Sequence, residues 1–453
     1  MSETRKTIVF CVVAVVLAVL AMITAPKRIT PDSFLDQGEP FFPEFIDPNA
    51  AQTLEVIDFD EATGSALPFK VTFSEGRWTI PSHHNYPADA KDRLAETAAG
   101  IIGIKKDDFR SNNVADHEAC GVIDPLDENA LSLKGRGQRV TVKGENDVLL
   151  ADFIVGNTVE GREDLRFVRV PDQKRVYAAR MDLDISTKFT DWIETDLLEA
   201  AKDDFDNITL KDYSINEQTG RVNEGDVIVL VKQEDWTTPG LREDQEIDKT
   251  KLNNLLSGLD DLRIEGVRPK PEGLTATLTR SADSLRIGTA EMLSLQGKGY
   301  YFSRDGRLLS NEGEVQARTK DGLAYTLRFG EVVYGTGMAV TAGMESDEGG
   351  AVASGENRYL FVTVRFQEAL FPEPPSPENT NFLNKADSLW TDDDFANKNL
   401  HDAHQQWRTK VNRSRTRASE LNARFAKWYY VISSANFEKL RPPRAELIKK
   451  KES

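Results

Sequence analysis

The sequence predicts an α+β protein. Two tandem repeats of strand-hairpin plus helix units follow one N-terminal transmembrane helix and precede a C-terminal heptad-patterned helix. Three observations predict this. The stretch from Ile8 to Ala25 runs eighteen residues without a charge. A pattern of strands, tryptophan turn and helix recurs at a constant offset of 158 residues, Trp78 to Trp236. Apolar residues near the C-terminus recur at alternating steps of four and three, the spacing of a helical seam.

The N-terminal stretch would be ~27 Å long as a helix, close to the thickness of a bilayer's hydrocarbon. Residues 1–6 then form a cytoplasmic end and residues 7–25 the span. A cleaved signal peptide is the rival reading, but Pro26 disfavours cleavage after Ala25 and the run exceeds a usual signal core. Arg5 and Lys6 face Lys27 and Arg28, so flanking charge favours the N-terminus inside only slightly. The chain's bulk then lies outside the cytoplasm, anchored in the cytoplasmic (inner) membrane. Cys11 and Cys120 are the only cysteines, so the body holds no disulfide scaffold.

Charge is uneven along the 453 residues. Residues 407–453 carry 13 Lys/Arg against 4 Asp/Glu, and residues 1–28 carry 4 against 1. With a net charge of −17, the intervening body sums to −29. So acidic a body repels nucleic acid, and no nucleic-acid partner is expected.

Residues 26–53 form a Pro-rich lead-in with Phe41, Phe42 and Phe45 as an aromatic patch. The first repeat (54–205) opens on an alternating strand from Leu54 to Phe59. Phe69-Lys70-Val71-Thr72-Phe73 then leads to Trp78-Thr79-Ile80-Pro81. In the second repeat (206–372), Val227-Ile228-Val229-Leu230-Val231 leads to Trp236-Thr237-Thr238-Pro239. Leu94, Ala98, Ile101 and Ile104 map onto Leu252, Leu256, Leu259 and Leu262, each set lining one helix face. Hairpins follow in both copies, with Asp305-Gly306 and Asp321-Gly322 as tight turns. Residues 335–356, rich in Gly, Ala and Ser, read as a flexible insertion. A Pro-rich linker (373–395) introduces a long amphipathic helix (396–434), and a basic tail (435–453) ends the chain. Thr391 before three aspartates is a strong helix start.

Several of these residues carry a resemblance. The Phe42-Pro43 lead-in, Arg77-Trp78-Thr79-Ile80-Pro81, Pro87-Ala88-Asp89, Gly121-Val122-Ile123-Asp124-Pro125 and the repeated unit together resemble a bacterial domain-of-unknown-function family. That family is encoded beside gliding-motility-type ABC transporters. Cys120 stands where the family more usually has an aromatic residue. The resemblance implies a membrane-anchored extracytoplasmic protein working with an ABC-type transporter or another membrane complex. It supplies no catalytic residues.

The residues themselves point away from catalysis. No nucleophile elbow, P-loop, H-E-x-x-H or C-x-x-C pattern is present. His83 and His84, with Tyr86 and Asp89, suggest a metal, but adjacent residues in extended chain face opposite ways and the second copy has Leu241-Arg242. His401, Asp402 and His404 lie at helical spacing, yet His404 falls on the seam. Trp78 and Trp236 occupy the same place in both copies, which suits a core cap better than a ligand platform. We therefore expect no catalytic, cofactor or metal residues. The candidate interaction residues are Trp407, Val411, Leu421, Phe425 and Trp428, which either dock on the body or meet a partner. The expected function is a membrane-anchored, non-enzymatic accessory subunit. The alternative is a solute- or polymer-binding receptor using the cleft between the repeats, with Tyr300-Tyr301-Phe302 as an asymmetry between copies. The sequence leaves the oligomeric state open.

Overall fold

A computed structural model describes residues 13–17, 36–181, 183, 185–216, 219–280, 288–303, 306–335, 337–343 and 356–451. The chain divides into two compact units. One comprises residues 1–69 and 92–185, the other residues 70–91 and 186–453.

Alternation of apolar and polar residues gives the first unit its strands. They are β1 (Thr53–Asp60), the start of β2 (Ser65–Ser74), β5 (Asp108–Ser111), β6 (Gln138–Lys143), β7 (Leu149–Val159), β8 (Arg162–Arg169) and β9 (Val176–Arg180). The remainder of β2, with β3 (Arg77–Ile80) and β4 (Tyr86–Pro87), falls in the second unit. Within the first unit the order β1-β6-β7-β8-β9-β5 is antiparallel throughout. Leu54 and Val56 on β1, Val140 and Val142 on β6, and Phe153 on β7 are buried. The helix Lys91–Ile102 presents Leu94, Ala98 and Ile101 as its buried stripe.

The second unit continues with β10 (Phe205–Asn216), β11 (Arg221–Lys232), β12 (Trp236–Thr237), β13 (Gln245–Ile247) and β14 (Gly266–Pro269). After these come β15 (Tyr300–Phe302), β16 (Leu308–Ser310), β17 (Glu314–Thr319), β18 (Leu323–Val333), β19 (Asn357–Phe366), β20 (Trp428–Ile432) and β21 (Ile448–Lys450). Eight of them form one sheet in the order β12-β11-β10-β17-β18-β19-β20-β14.

The duplication is therefore deeper than the sequence shows. The run β10-β17-β18-β19-β20-β14 repeats β1-β6-β7-β8-β9-β5 strand for strand. The helices Lys91–Ile102 and Lys249–Asp260 stand at the same offset, as do β5 and β14. The strand that takes the place of β9 in the second copy is β20, which lies beyond the Pro-rich segment and the long helix Asp392–Ala426.

The expected fold class is corrected on two counts. The architecture is mostly large antiparallel sheet, because the hairpins that the sequence suggests join the repeat strands into continuous ladders. Among the described residues no helix is long and apolar enough to cross a membrane. Of the expected span at 7–25, residues 13–17 are helical and exposed. The rest of that span, Asp305 of the first Asp-Gly turn, and residues 336 and 344–355 of the expected insertion lie outside the described residues.

The long helix begins at Asp392, directly after the Thr391 cap and four residues ahead of the expected bound at 396. The Thr391 hydroxyl accepts from Asp394 N at 3.3 Å and Asp394 Oδ2 accepts from Thr391 N at 3.0 Å, a closed capping box. The helix ends at Ala426, short of the expected residue 434. Trp428-Tyr429-Tyr430-Val431-Ile432 is a run of aromatic and β-branched side chains, and it pairs with β14 and β19 instead.

Candidate functional site

In the first unit a cavity of about 420 Å³ opens beside the segment Gly121-Val122-Ile123-Asp124-Pro125. Gly121 ends the short helix His117–Cys120 in the left-handed region, φ +70°. Ile123 then bridges to Arg136, its N–H donating to Gly135 O and its carbonyl accepting from Gly137 N. Gly135, at φ +72°, passes so close to the Glu118 backbone that a Cβ would collide with it.

Arg136 holds the loop between these points. Its guanidinium donates to the carbonyls of Asp124, Pro125, Asp127, Ala130 and Ser132, at 2.9–3.2 Å. It also lies 4.7 Å over the Phe59 ring. Two Asx turns, Leu126 N to Asp124 Oδ1 and Asn129 N to Asp127 Oδ1, both 2.9 Å, complete the loop.

Two further arginines line the cavity with different partners. Arg139, on β6, grips Asp152 with Nε at 3.0 Å and Nη2 at 2.7 Å, and reaches Asp124 with Nη1 at 3.0 Å. The hydrogen bonds to Asp152 push its pKa up, against burial. Arg169, on β8, is only 6% exposed and meets carbonyls alone. Nε donates to Val122 O at 2.9 Å, and Nη1 to the carbonyls of Val170, Pro171 and Gln173. Burial pulls its pKa down. His117 donates from Nε2 to Lys174 O at 2.9 Å, which sets the tautomer, and burial lowers its pKa as well. Arg169 and His117 thus fix both ends of the 170–174 turn. Asp127 and Asp172 also line the cavity, with Leu126 and Val114 as an apolar wall.

The corresponding part of the second copy is built differently. The helices Glu272–Arg280 and Thr289–Gln296 and the β15–β16 hairpin occupy that stretch of chain.

The second unit offers a surface of another kind. Leu383, Leu389 and Phe395 are exposed, Leu389 at 69%. Trp390 sits edge-on to Phe395 at 5.3 Å and to Phe382 at 6.1 Å. Asp387, Asp392 and Asp393 are exposed on the same stretch.

The five candidate interaction residues lie within the second unit. Val411, Leu421, Phe425 and Trp428 are buried. The helix that carries the first three lies against β19 and the helix Glu272–Arg280. Trp407 is half-buried and donates from Nε1 to Phe371 O at 2.8 Å. Trp428 belongs to β20 and sits edge-on to Tyr86 at 5.0 Å. His83 stacks on Phe189, and its Nε2 lies 3.0 Å from Thr341 Oγ1. His404 Nε2 lies 2.8 Å from Glu373. The Cys120 thiol is buried among Val122, Ile154, Phe167 and Val176, and burial pushes its pKa up.

Sequence reasoning missed Arg136, Arg139, Arg169 and His117. The signal was there in part, since Gly121–Pro125 stood out as a motif and had no second copy. What it lacked was the pairing that brings β6, β8 and this loop together.

No curated protein and no solved structure matches the chain. Residues 78–277 match the family DUF4340, described as a domain of unknown function. The chain therefore contains a DUF4340 domain, which begins at Trp78 and includes every residue of the cavity.

Proposed function

We propose that this chain is a non-enzymatic accessory subunit that acts by contact, outside the cytoplasm, with a membrane complex of the ABC-transporter type. The observation that carries the reading is the apolar surface around Leu383, Leu389, Trp390 and Phe395. Exposed large apolar side chains gathered along one stretch of chain mark contact surfaces. The exposed aspartates on the same stretch favour a basic partner surface. The resemblance of Arg77–Pro81 and Gly121–Pro125 to the transporter-associated family supplies the class of partner.

A photo-reactive amino acid placed at Leu389 and at Phe395, in the full chain within native membranes, tests this. The expected products contain integral transporter subunits. Irradiation that leaves the chain as a single uncrosslinked species at both positions overturns the reading.

A second reading, a receptor for a small solute, is favoured by the cavity beside Asp124. A binding site breaks the symmetry of a duplicated fold, and the elements around this cavity differ between the two copies.

A further inference from the structure

We propose that the cavity of the first unit binds a small zwitterion, an α-amino acid or short peptide, holding its carboxylate at Arg169 and its ammonium at Asp127 and Asp172. The inference deepens the receptor reading and is independent of the accessory-subunit reading.

The charges of the cavity divide into groups that are matched and groups that are not. Arg139 is matched twice, by Asp152 and Asp124. Arg169 is different. Among the described residues no carboxylate lies within ion-pair distance of it, and its Nη2 has no hydrogen-bond partner, whereas Nε and Nη1 have four. A guanidinium this deeply buried is costly without a counter-charge. Carbonyl oxygens hold its position, and Asp124, Asp127 and Asp172 favour its charge only from a distance, without an ion-pair contact. The result is a rigid donor lining a cavity, the arrangement that recognises a carboxylate.

Asp127 and Asp172 are the converse. Among the described residues neither has a cation within ion-pair distance. Both are near enough to Arg169 to influence its charge without touching it. A simple anion would approach Arg169 past two unmatched carboxylates. A simple cation would satisfy those carboxylates and leave Arg169 alone. A ligand carrying both charges satisfies all three groups at once. The cavity's volume, about 420 Å³, suits one or two amino-acid residues, and Leu126 and Val114 provide apolar contact for a side chain.

The test is calorimetric titration of the purified full chain with L-leucine and with the dipeptide Leu-Leu. N-acetyl-L-leucine, which keeps only the anion, and L-leucinamide, which keeps only the cation, are the comparisons. We expect at least one zwitterion to bind about tenfold or more tightly than both single-charge analogues, as one lost charge contact implies. Replacing Arg169 would also release the turn it holds, so the variant of choice is the double substitution Asp127→Asn, Asp172→Asn. It keeps the Asn129 N acceptor at position 127 and removes both charges. It should weaken the zwitterion about tenfold in a variant that still unfolds cooperatively. Absence of binding by both zwitterions, equal binding of a zwitterion and either analogue, or a double variant that binds as the parent does, would each overturn the proposal. None of these results bears on whether Leu389 and Phe395 contact a transporter.

Discussion

His83 shows how far one side chain's surroundings can carry it from its ordinary chemistry. Its ring is buried, stacked on Phe189 at 4.5 Å, with Nδ1 3.1 Å from Ser82 Oγ and Nε2 3.0 Å from Thr341 Oγ1. Burial, with the charges of His84 and Arg268, lowers its pKa from 6.5 to about 4. The folded state keeps the ring neutral while the unfolded chain protonates it near 6.5. Stability is therefore full above pH 6.5 and is lost as pH falls toward about 4, by roughly 1.4 kcal/mol per unit. Urea denaturation at several pH values checks this, and His83→Gln should flatten the dependence across that window. The residue was conspicuous in the sequence as half of His83-His84. Its partners were not, since Thr341 lies 258 positions away. The arginines of the cavity and of the loop beside it were less visible still. Arg136, Arg139 and Arg169 are ordinary residues in an acidic chain until strand pairing shows that one holds carbonyls, one holds carboxylates, and one holds carbonyls with a nitrogen to spare.

The long helix Asp392–Ala426 shows what patterning can and cannot reveal about an element. Its start was legible because Thr391 and Asp394 form a local capping box, which depends on four consecutive residues. Thr391→Ala should cost about 1 kcal/mol in urea denaturation followed by circular dichroism, and Thr391→Ser should restore most of it. Its buried face was legible too, as Val411, Ser414, Ala418, Leu421 and Phe425 recur at three and four. What that face meets was not legible, because a seam of apolar residues fits a sheet as well as a second helix. The deciding contact is polar and sits beside the seam. Asn422 accepts from Val364 N at 2.9 Å and donates back to Val364 O, so it stands in for a neighbouring strand along part of β19. The end of the helix was misplaced for a related reason. Trp428 continues the spacing of the seam, but its neighbours are strand formers, and the open edges of β14 and β19 supply ladder partners that a helix would not use.

Across the whole molecule, duplication and charge are the governing facts. The exposed cations of the long helix find local acids, Arg415 with Glu368 at 2.8 Å and Lys410 with Asp321 at 3.6 Å, so the basic C-terminal stretch is partly neutralised within its own unit. With a net charge of −17 overall, the chain should not retard labelled single-stranded DNA at physiological salt. A gel-shift or anisotropy titration checks it, and measurable binding would mean that the free cations of this helix outweigh the body. From the sequence by itself came the tandem repeat, the paired helices carrying Leu94, Ala98 and Ile101 and Leu252, Leu256 and Leu259, the helix start at Thr391 and the acidic character, because each depends on periodicity, local capping or composition. Only the tertiary structure decided that β20 completes the second sheet across a 35-residue helix, and that Arg139 and Arg169 line one cavity while Arg136 braces the loop beside it. Strand pairing joins residues by hydrogen bonds that depend on position in space, and no local pattern records which distant segment will supply the partner.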